Sequence, residues 1–279
     1  MLSQKRISYI LTTKNRAAQL ELALIRYKKI IKEEDELIII DGGSTDDTKS
    51  VINKFSKLID YFISEPDQNA NEATNKGFLV ANGKYIKQIA DDDIYFEEGL
   101  DKAYEIMEKN QDIDMIVCGG IRKQGEKETL IYVPPGSDYG SSVDNIFING
   151  YPLSGMGVFF NRSLLSRVGL FETNEPFSDM GFILRSIYLG AKVKFCRINL
   201  FFHELSDNSV TIKDEKKYNK QYKILLNRYC SDRYKRIYRL KNMFWYKILR
   251  IIPKIFVSLI SIKKNDDYTI TPIWDEGFS

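Results

Sequence analysis

Short apolar runs alternate with longer amphipathic stretches over the first 120 or so residues. Residues 7–12 form an apolar run that stops at the polar turn Thr13, Lys14, Asn15, Arg16. Ala18, Leu22, Ile25 and Lys29 then recur at helical spacing, and Leu20 and Leu24 widen the face. A second apolar run, 37–40, ends at Asp41-Gly42-Gly43-Ser44, where Ser44 or Asp46 can cap a helix reaching Phe55. The pattern continues with a strand over 61–64, a helix over 72–81 closed by Asn82-Gly83, and a strand over 85–89. That last strand runs straight into Asp91-Asp92-Asp93. A helix over 97–109 and a strand over 115–118 complete the alternation.

Strand–helix alternation of this kind predicts an α/β fold, a mostly parallel central sheet flanked by helices. Such sheets bind ligands at the carboxyl ends of their strands. The polar clusters 12–16, 41–47 and 91–93 each follow a strand, so all three are expected on one rim. After residue 120 glycine and proline become frequent (Pro134, Pro135, Gly136, Gly140, Gly150, Pro152, Gly155, Gly157), and a less regular region is expected to complete a cleft. A helix over 180–189 and a strand near 193–198 follow. From Lys216 the chain turns helical, basic and aromatic.

The 279 residues allow one large domain, or one domain with an appendage. With 43% hydrophobic and 28% charged residues, the chain is neither disordered, collagen-like nor polytopic. The net charge of +3 hides an asymmetry: residues 213–264 hold 16 Lys and Arg against 3 Asp and Glu, so the rest is acidic. We therefore expect a body over 1–212 and a basic aromatic helical extension over 213–279. Cys118, Cys196 and Cys230 have no metal-type spacing and read as reduced thiols of a cytoplasmic protein. The opening MLSQKRISYILTT carries no signal-peptide pattern, and no apolar stretch is long enough to span a membrane.

Three carboxylates at a strand end repel one another unless a cation or hydrogen-bond donors compensate them. A hard divalent cation suits them and can also meet phosphate oxygens. The alternative is an acidic loop capping the helix that starts near Phe96. In the second cluster, glycines let the backbone turn and a ligand approach, and Asp41 can accept from a base N–H or a ribose hydroxyl. Lys76 can reach a phosphate or a nucleobase, or simply face solvent. Asp179 is either a helix cap or a carboxylate poised as general base. His203, the chain's one histidine, is open to a structural role or to contact with metal or diphosphate.

The segments ISYILTTKNR, ELIIIDGGSTDDT, ISEPDQNANEATNKGFLVANGKYIKQIADDDIYFEEGL and FSDMGFILRSIYLGAKV, in this order, resemble the family 2 glycosyltransferases with the GT-A fold. The resemblance covers residues 5–205, and its middle stretch is similar to members that assemble bacterial surface polysaccharides. It implies a Rossmann-like nucleotide-diphospho-sugar transferase. Thr12, Asn15, Asp41, Lys76 and Asp91 would then meet the nucleotide sugar. Asp92 would bind Mg²⁺ or Mn²⁺, with Asp93 and His203 as further candidates beside it. Asp179 would be the catalytic base of an inverting transfer from a donor, UDP by family habit, to a glycan or lipid-linked acceptor.

The chain departs from the family pattern in four places. Ala90 stands where Asp, Gly or Asn is common. Ser178-Asp179 replaces a Glu-Asp pair. Thr74 replaces an Arg, and Asn69-Ala70-Asn71-Glu72 replaces Gly-Ile-Tyr-Asp. The last two bear on donor identity.

The tail segment 244–256 mixes apolar, aromatic and cationic side chains and fits an anionic membrane surface. It would place the protein peripherally on the inner face of the cell membrane; packing against the body is the other reading, and Pro253 argues against a smooth spanning helix. No motif for nucleic acid accompanies the charge. A sugar nucleotidyltransferase would show a glycine-rich basic loop after its first strand, and residues 12–16 hold no glycine. An inactive sugar-binding or scaffold subunit is countered by the retained Asp92 and Asp179.

Overall fold

A computed structural model describes residues 4–131, 133, 142–149, 151–175, 177–205 and 215–242. The glycine- and proline-rich stretch 134–140 and the tail segment 244–256 lie outside them. The chain divides into two compact units, residues 1–231 and 232–279.

In the larger unit the elements are β1 (Ile7–Thr13), α1 (Ala17–Ile30), β2 (Glu36–Asp41), α2 (Thr48–Lys54), β3 (Tyr61–Ser64), α3 (Ala70–Val80), β4 (Tyr85–Ile89), β5 (Ile94–Tyr95) and α4 (Glu97–Lys109). They continue with β6 (Met115–Gln124), β7 (Lys127–Ile131), α5 (Val143–Asn149), a 3₁₀ turn (Gly155–Gly157), β8 (Val158–Asn161), α6 (Leu164–Val168), α7 (Ser178–Tyr188), β9 (Val193–Leu205) and α8 (Glu215–Tyr229). The second unit contains α9 (Asp232–Asn242).

The strands form one sheet in the order β3-β2-β1-β4-β8-β6-β9-β5, with β7 paired to β6. β1 is parallel to β2 and β4, β2 to β3, and β6 to β9. The later strand β8 runs antiparallel between β4 and β6, and so breaks the parallel run. Every residue of β2 is buried, as expected of a parallel strand covered on both faces. Tyr9, Leu11, Leu20, Leu24, Leu37, Ile39 and Phe159 belong to a single core cluster beneath the rim.

Strand β9 runs well past the expected end near residue 198. Its pairing with β6 shifts register at Gly119 and again at Gly120, where β9 carries extra residues. Such irregularities bend and re-aim a strand beside active sites. Here the far half of β9 also pairs with β5, Tyr95 lying opposite Phe201, and this brings His203 up to the acidic run. The first basic helix, α8, is part of the larger unit: Leu225 and Leu226 are buried, and Arg228 pairs with Glu175 ahead of α7. The unit boundary therefore lies at 231/232 rather than at 212/213. Among the described residues, no helix is long and apolar enough to cross a membrane.

Candidate active site

The register sets Thr13 opposite Asp41 and Leu11 opposite Ile89, so the ends of β2, β1 and β4 lie side by side. Thr12 is half-buried beside them. Asn15 adopts φ 52, a left-handed conformation that Asn tolerates better than most residues. Its backbone N–H donates to Ser44 Oγ (2.7 Å), and its side-chain oxygen accepts from the Thr45 N–H (2.8 Å). Ser44 donates in turn to Asp41 through its hydroxyl and its backbone N–H, and Ser64 Oγ donates to the other Asp41 oxygen at 2.6 Å. Both oxygens of the fully buried Asp41 are thus taken up by Ser44 of its own loop and Ser64 at the end of β3. Asp46 accepts from the Ala17 N–H at the start of α1 (3.0 Å) and from the Thr48 N–H at the start of α2 (3.1 Å). One carboxylate thereby satisfies donors at two helix starts, and the Thr48 hydroxyl holds its carboxyl below the usual range. The two loops form one stiff network.

The acidic run is compensated from several sides. Arg16 Nε donates to Asp91 Oδ2 at 2.9 Å, and its Nη2 donates to Asp92 Oδ2 at 3.1 Å. Burial pushes the Asp91 carboxyl up while Arg16 holds it back. Helix α1 fixes the run's backbone as well: Arg26 donates to the Asp91 carbonyl at 3.1 Å, and the Tyr27 hydroxyl donates to the Ala90 carbonyl. Asp92 is exposed, its side chain retaining 56% of its surface, whereas Asp93 is buried. Asp93 Oδ1 lies 2.7 Å from His203 Nδ1, and Tyr95 Oη donates to Asp93 Oδ2 at 3.4 Å. None of the three carboxylates caps α4, whose N-cap Phe96 makes no side-chain capping bond.

Asp179, the second residue of α7, faces an apolar floor of Phe78, Val158, Phe160, Phe171 and Phe182, with Gln88 and Gly155 at its edge. Burial there raises its carboxyl, against the backbone N–H groups of Gly155, Met180 and Asp179 itself. The Gly155 N–H donates to Asp179 Oδ2 at 2.7 Å. Gly155 is needed at this spot because a Cβ would sit 2.8 Å from Asp179 Cβ. Asn75 pins the floor through two hydrogen bonds to the Phe171 backbone, at 2.8 and 2.9 Å. Gln88 lies on β4, the strand that leads into Asp91, so Asp179 and the acidic run share one structural support.

The structure therefore joins Asp91 and Asp92 through Arg16 and joins Asp93 to His203; Asn15 and Asp41 belong to the adjoining network, and Thr12 stands half-buried on β1 next to it. Lys76 is turned to Glu65 (2.9 Å) and Glu72 (3.5 Å), and those partners raise its ammonium. Sequence reasoning missed the roles of Arg16, Arg26, Tyr27 and Gly155. Arg16 offered a signal, as a cation on a rim otherwise rich in carboxylates. Gly155 offered none, because its partner is 24 residues away.

Among the described residues no ready cluster of three or more His, Cys, Asp and Glu is assembled for a metal ion. The residues present nonetheless fit a hard divalent ion. Asp92 presents an exposed carboxylate, and the Asp93 carboxylate lies against His203 Nδ1, which turns the Nε2 edge of the ring away from Asp93. Mg²⁺ and Mn²⁺ commonly take one or two protein carboxylates and complete their shell with phosphate and water.

The model of the family described as Glycosyl transferase family 2 matches residues 8–169, and the chain belongs to that family. An uncharacterized glycosyltransferase of Rickettsia typhi is 26% identical over 149 residues, 51% of this chain and 46% of that protein. A PGL/p-HBAD biosynthesis glycosyltransferase of Mycobacterium tuberculosis is 30% identical over 115 residues, 39% of this chain and 44% of that protein. The chain thus spans about half the length of the curated relatives it matches. Among solved structures, S. aureus TarS 1-349 superposes with a TM-score of 0.57 at 15% identity, covering 79% of this chain and 64% of that one. Glucosyl-3-phosphoglycerate synthase of M. tuberculosis, in complex with Mn²⁺, UDP and glucosyl-3-phosphoglycerate, superposes with a TM-score of 0.56 at 17% identity, covering 80% of both chains. The fold is GT-A: a Rossmann-like sheet flanked by helices.

Proposed function

We propose that the protein transfers a sugar, with inversion, from a nucleotide-diphosphate donor to a hydroxyl of a glycan or lipid-linked acceptor in polysaccharide assembly. The observation that carries this reading is the separation of two carboxylate environments on one support. Asp92 is exposed at the end of β4, while Asp179 lies on an aromatic floor beside Gln88 of the same strand. Environments that divide carboxylates in this way divide their roles.

The Asn15–Ser44–Asp41 network shapes the nucleotide side, with Thr12 and Asp91 bordering it, and Lys76 reaches the donor on leaving its glutamate partners. Asp92, with His203 and Asp93 behind it, would hold Mg²⁺ or Mn²⁺; the ion supplies positive charge against the departing diphosphate. Arg16 adds a cation at the same end. Asp179 Oδ2 is held by Gly155, and the carboxylate accepts the acceptor hydroxyl's proton as that oxygen bonds to the anomeric carbon. The sugar–phosphate bond breaks on the opposite face, its electrons leave with the nucleoside diphosphate, and Asp179 keeps the proton. A raised carboxyl is a better base than an ordinary one.

UDP is the first donor nucleotide to try: a second crystal structure of S. aureus TarS 1-349 holds UDP-GlcNAc. The basic residues of α9 suit a peripheral position at an anionic membrane, where lipid-linked acceptors lie; flotation with anionic liposomes, with and without 232–279, checks this. The donor is tested by a thermal-shift screen of nucleotide sugars with and without Mn²⁺. A true donor at 100 times its Kd stabilises the protein by about 2.7 kcal/mol. A full panel without an Mn²⁺-dependent shift would refute the reading. The anomeric configuration of the product tests inversion.

A further inference from the structure

We propose that Lys87 is a positioning residue that ties the support of Asp179 to the support of His203; this rests on the roles given above to those two side chains. Lys87 stands in the middle of β4 and is completely buried. Lysine is almost never buried to that degree unless its charge is met. The other fully buried positions of the strand, Tyr85, Ile86 and Ile89, are hydrophobic, so a methionine would fit this position without the charge.

The ammonium has a specific set of partners. Its Nζ donates to the Met156 carbonyl at 2.6 Å and to the Val158 carbonyl at 3.2 Å. Met156 is the central residue of the 3₁₀ turn whose first residue, Gly155, donates to Asp179. On its other side Nζ lies 4.6 Å from the centroid of the Tyr95 ring, a cation–π distance. Tyr95 donates to Asp93, and Asp93 orients His203. One buried cation therefore touches the turn behind the proposed base and the ring behind the acidic run.

The two contacts make different demands. The carbonyls need N–H donors and accept neutral ones. The Tyr95 face and the nearby Asp93 charge respond to positive charge. Burial lowers the Lys87 ammonium to about 7, with the Asp93 charge working in the opposite direction, so retaining a charge here opposes simple stability. Its value is then geometric, in fixing both ends of the site to one strand.

The full chain is studied without ligand at one fixed pH below 7, where Lys87 carries its charge, as wild type, Lys87→Met and Lys87→Gln. NMR reads the exchange rate of the Gly155 amide and the ring ¹⁵N shifts of His203, which are unambiguous in a chain with one histidine. Lys87→Met removes donors and charge; Gly155 exchange is expected to rise by about tenfold or more, and the His203 signals to move. Lys87→Gln keeps N–H donors without charge; Gly155 exchange is expected to stay within about threefold of wild type, while the His203 signals still move. A folded Lys87→Met with both readouts unchanged overturns the proposal. If Lys87→Met does not fold, Lys87→Gln decides: unmoved His203 signals overturn the link, and displaced signals with a protected Gly155 amide support it. Neither readout depends on sugar transfer. A wild type that transfers no sugar, with variants that show both responses, would sink the proposed function and leave the Lys87 link standing.

Discussion

Gly155→Ala places a methyl carbon 2.8 Å from Asp179 Cβ and 2.9 Å from its Oδ2. Carbon–carbon contact is comfortable at about 3.5–4.0 Å, so the two groups must separate by roughly 1 Å. The aromatic floor leaves Asp179 little room to retreat, because Phe78 packs edge-on against Phe160 and Phe171, with ring centroids at 5.7 and 5.1 Å. The 3₁₀ turn must shift instead, which lengthens the 2.7 Å bond from the Gly155 N–H to Asp179. Overpacking of this kind costs about 1–3 kcal/mol of stability, measurable by urea denaturation. Misplacing a reacting group by about 1 Å costs on the order of 10² in rate. The assay is UDP release from the donor found by screening, with Mn²⁺ and acceptor, alongside calorimetric titration of UDP. Turnover is expected to fall on the order of 10² while UDP affinity stays within about twofold, because the lost interaction belongs to the transition state. A folded variant turning over within about threefold of wild type would refute the claim that this contact sets the base.

Asp179→Asn should slow transfer by on the order of 10² or more and stabilise the fold. A carboxyl raised in the folded state loses stability as pH climbs through that raised value, so the melting-temperature gain of the Asn variant should grow from pH 4 to pH 7; a gain independent of pH would contradict the burial argument. Arg16→Gln removes the cation beside buried Asp91, and with Arg16 itself part-exposed the expected loss at pH 7 is about 1 kcal/mol. Because protonated Asp91 needs no counter-ion, denaturation at pH 4 should show a smaller loss, and equal losses at both pH values would count against the pairing.

Periodicity made much of the fold legible. The strands over 61–64 and 85–89 and the helix over 97–109 lie where the pattern put them, because each is a short run whose neighbours are turn residues or caps. The rim was legible for the same reason, since β1, β2 and β4 each end in a polar cluster. What escaped was non-local. The length of β9 depends on a register shift against β6 and on pairing with β5, neither of which leaves a periodic trace in β9 itself. The partners of Arg16 lie 75 and 76 residues further along the chain, and a cation in a polar turn does not name them. Asp41 was legible as a residue of the rim, and its Ser44 bonds are local to that loop, but the Ser64 bond that completes its carboxylate emerges only when β2 and β3 pair. Lys87 carried a signal, a cation among the buried hydrophobic residues of β4, whose meaning needed the turn at Gly155 on one side and Tyr95 on the other.

The division between a donor side at Asp92 and an acceptor side at Asp179 is tested most directly by titrating UDP, in the presence of Mn²⁺, into wild type, Asp92→Ala and Asp179→Asn. Asp92→Ala is expected to bind at least about tenfold more weakly, and Asp179→Asn to bind as wild type does. UDP binding to a folded Asp92→Ala with wild-type affinity and an undiminished Mn²⁺ dependence would contradict that division.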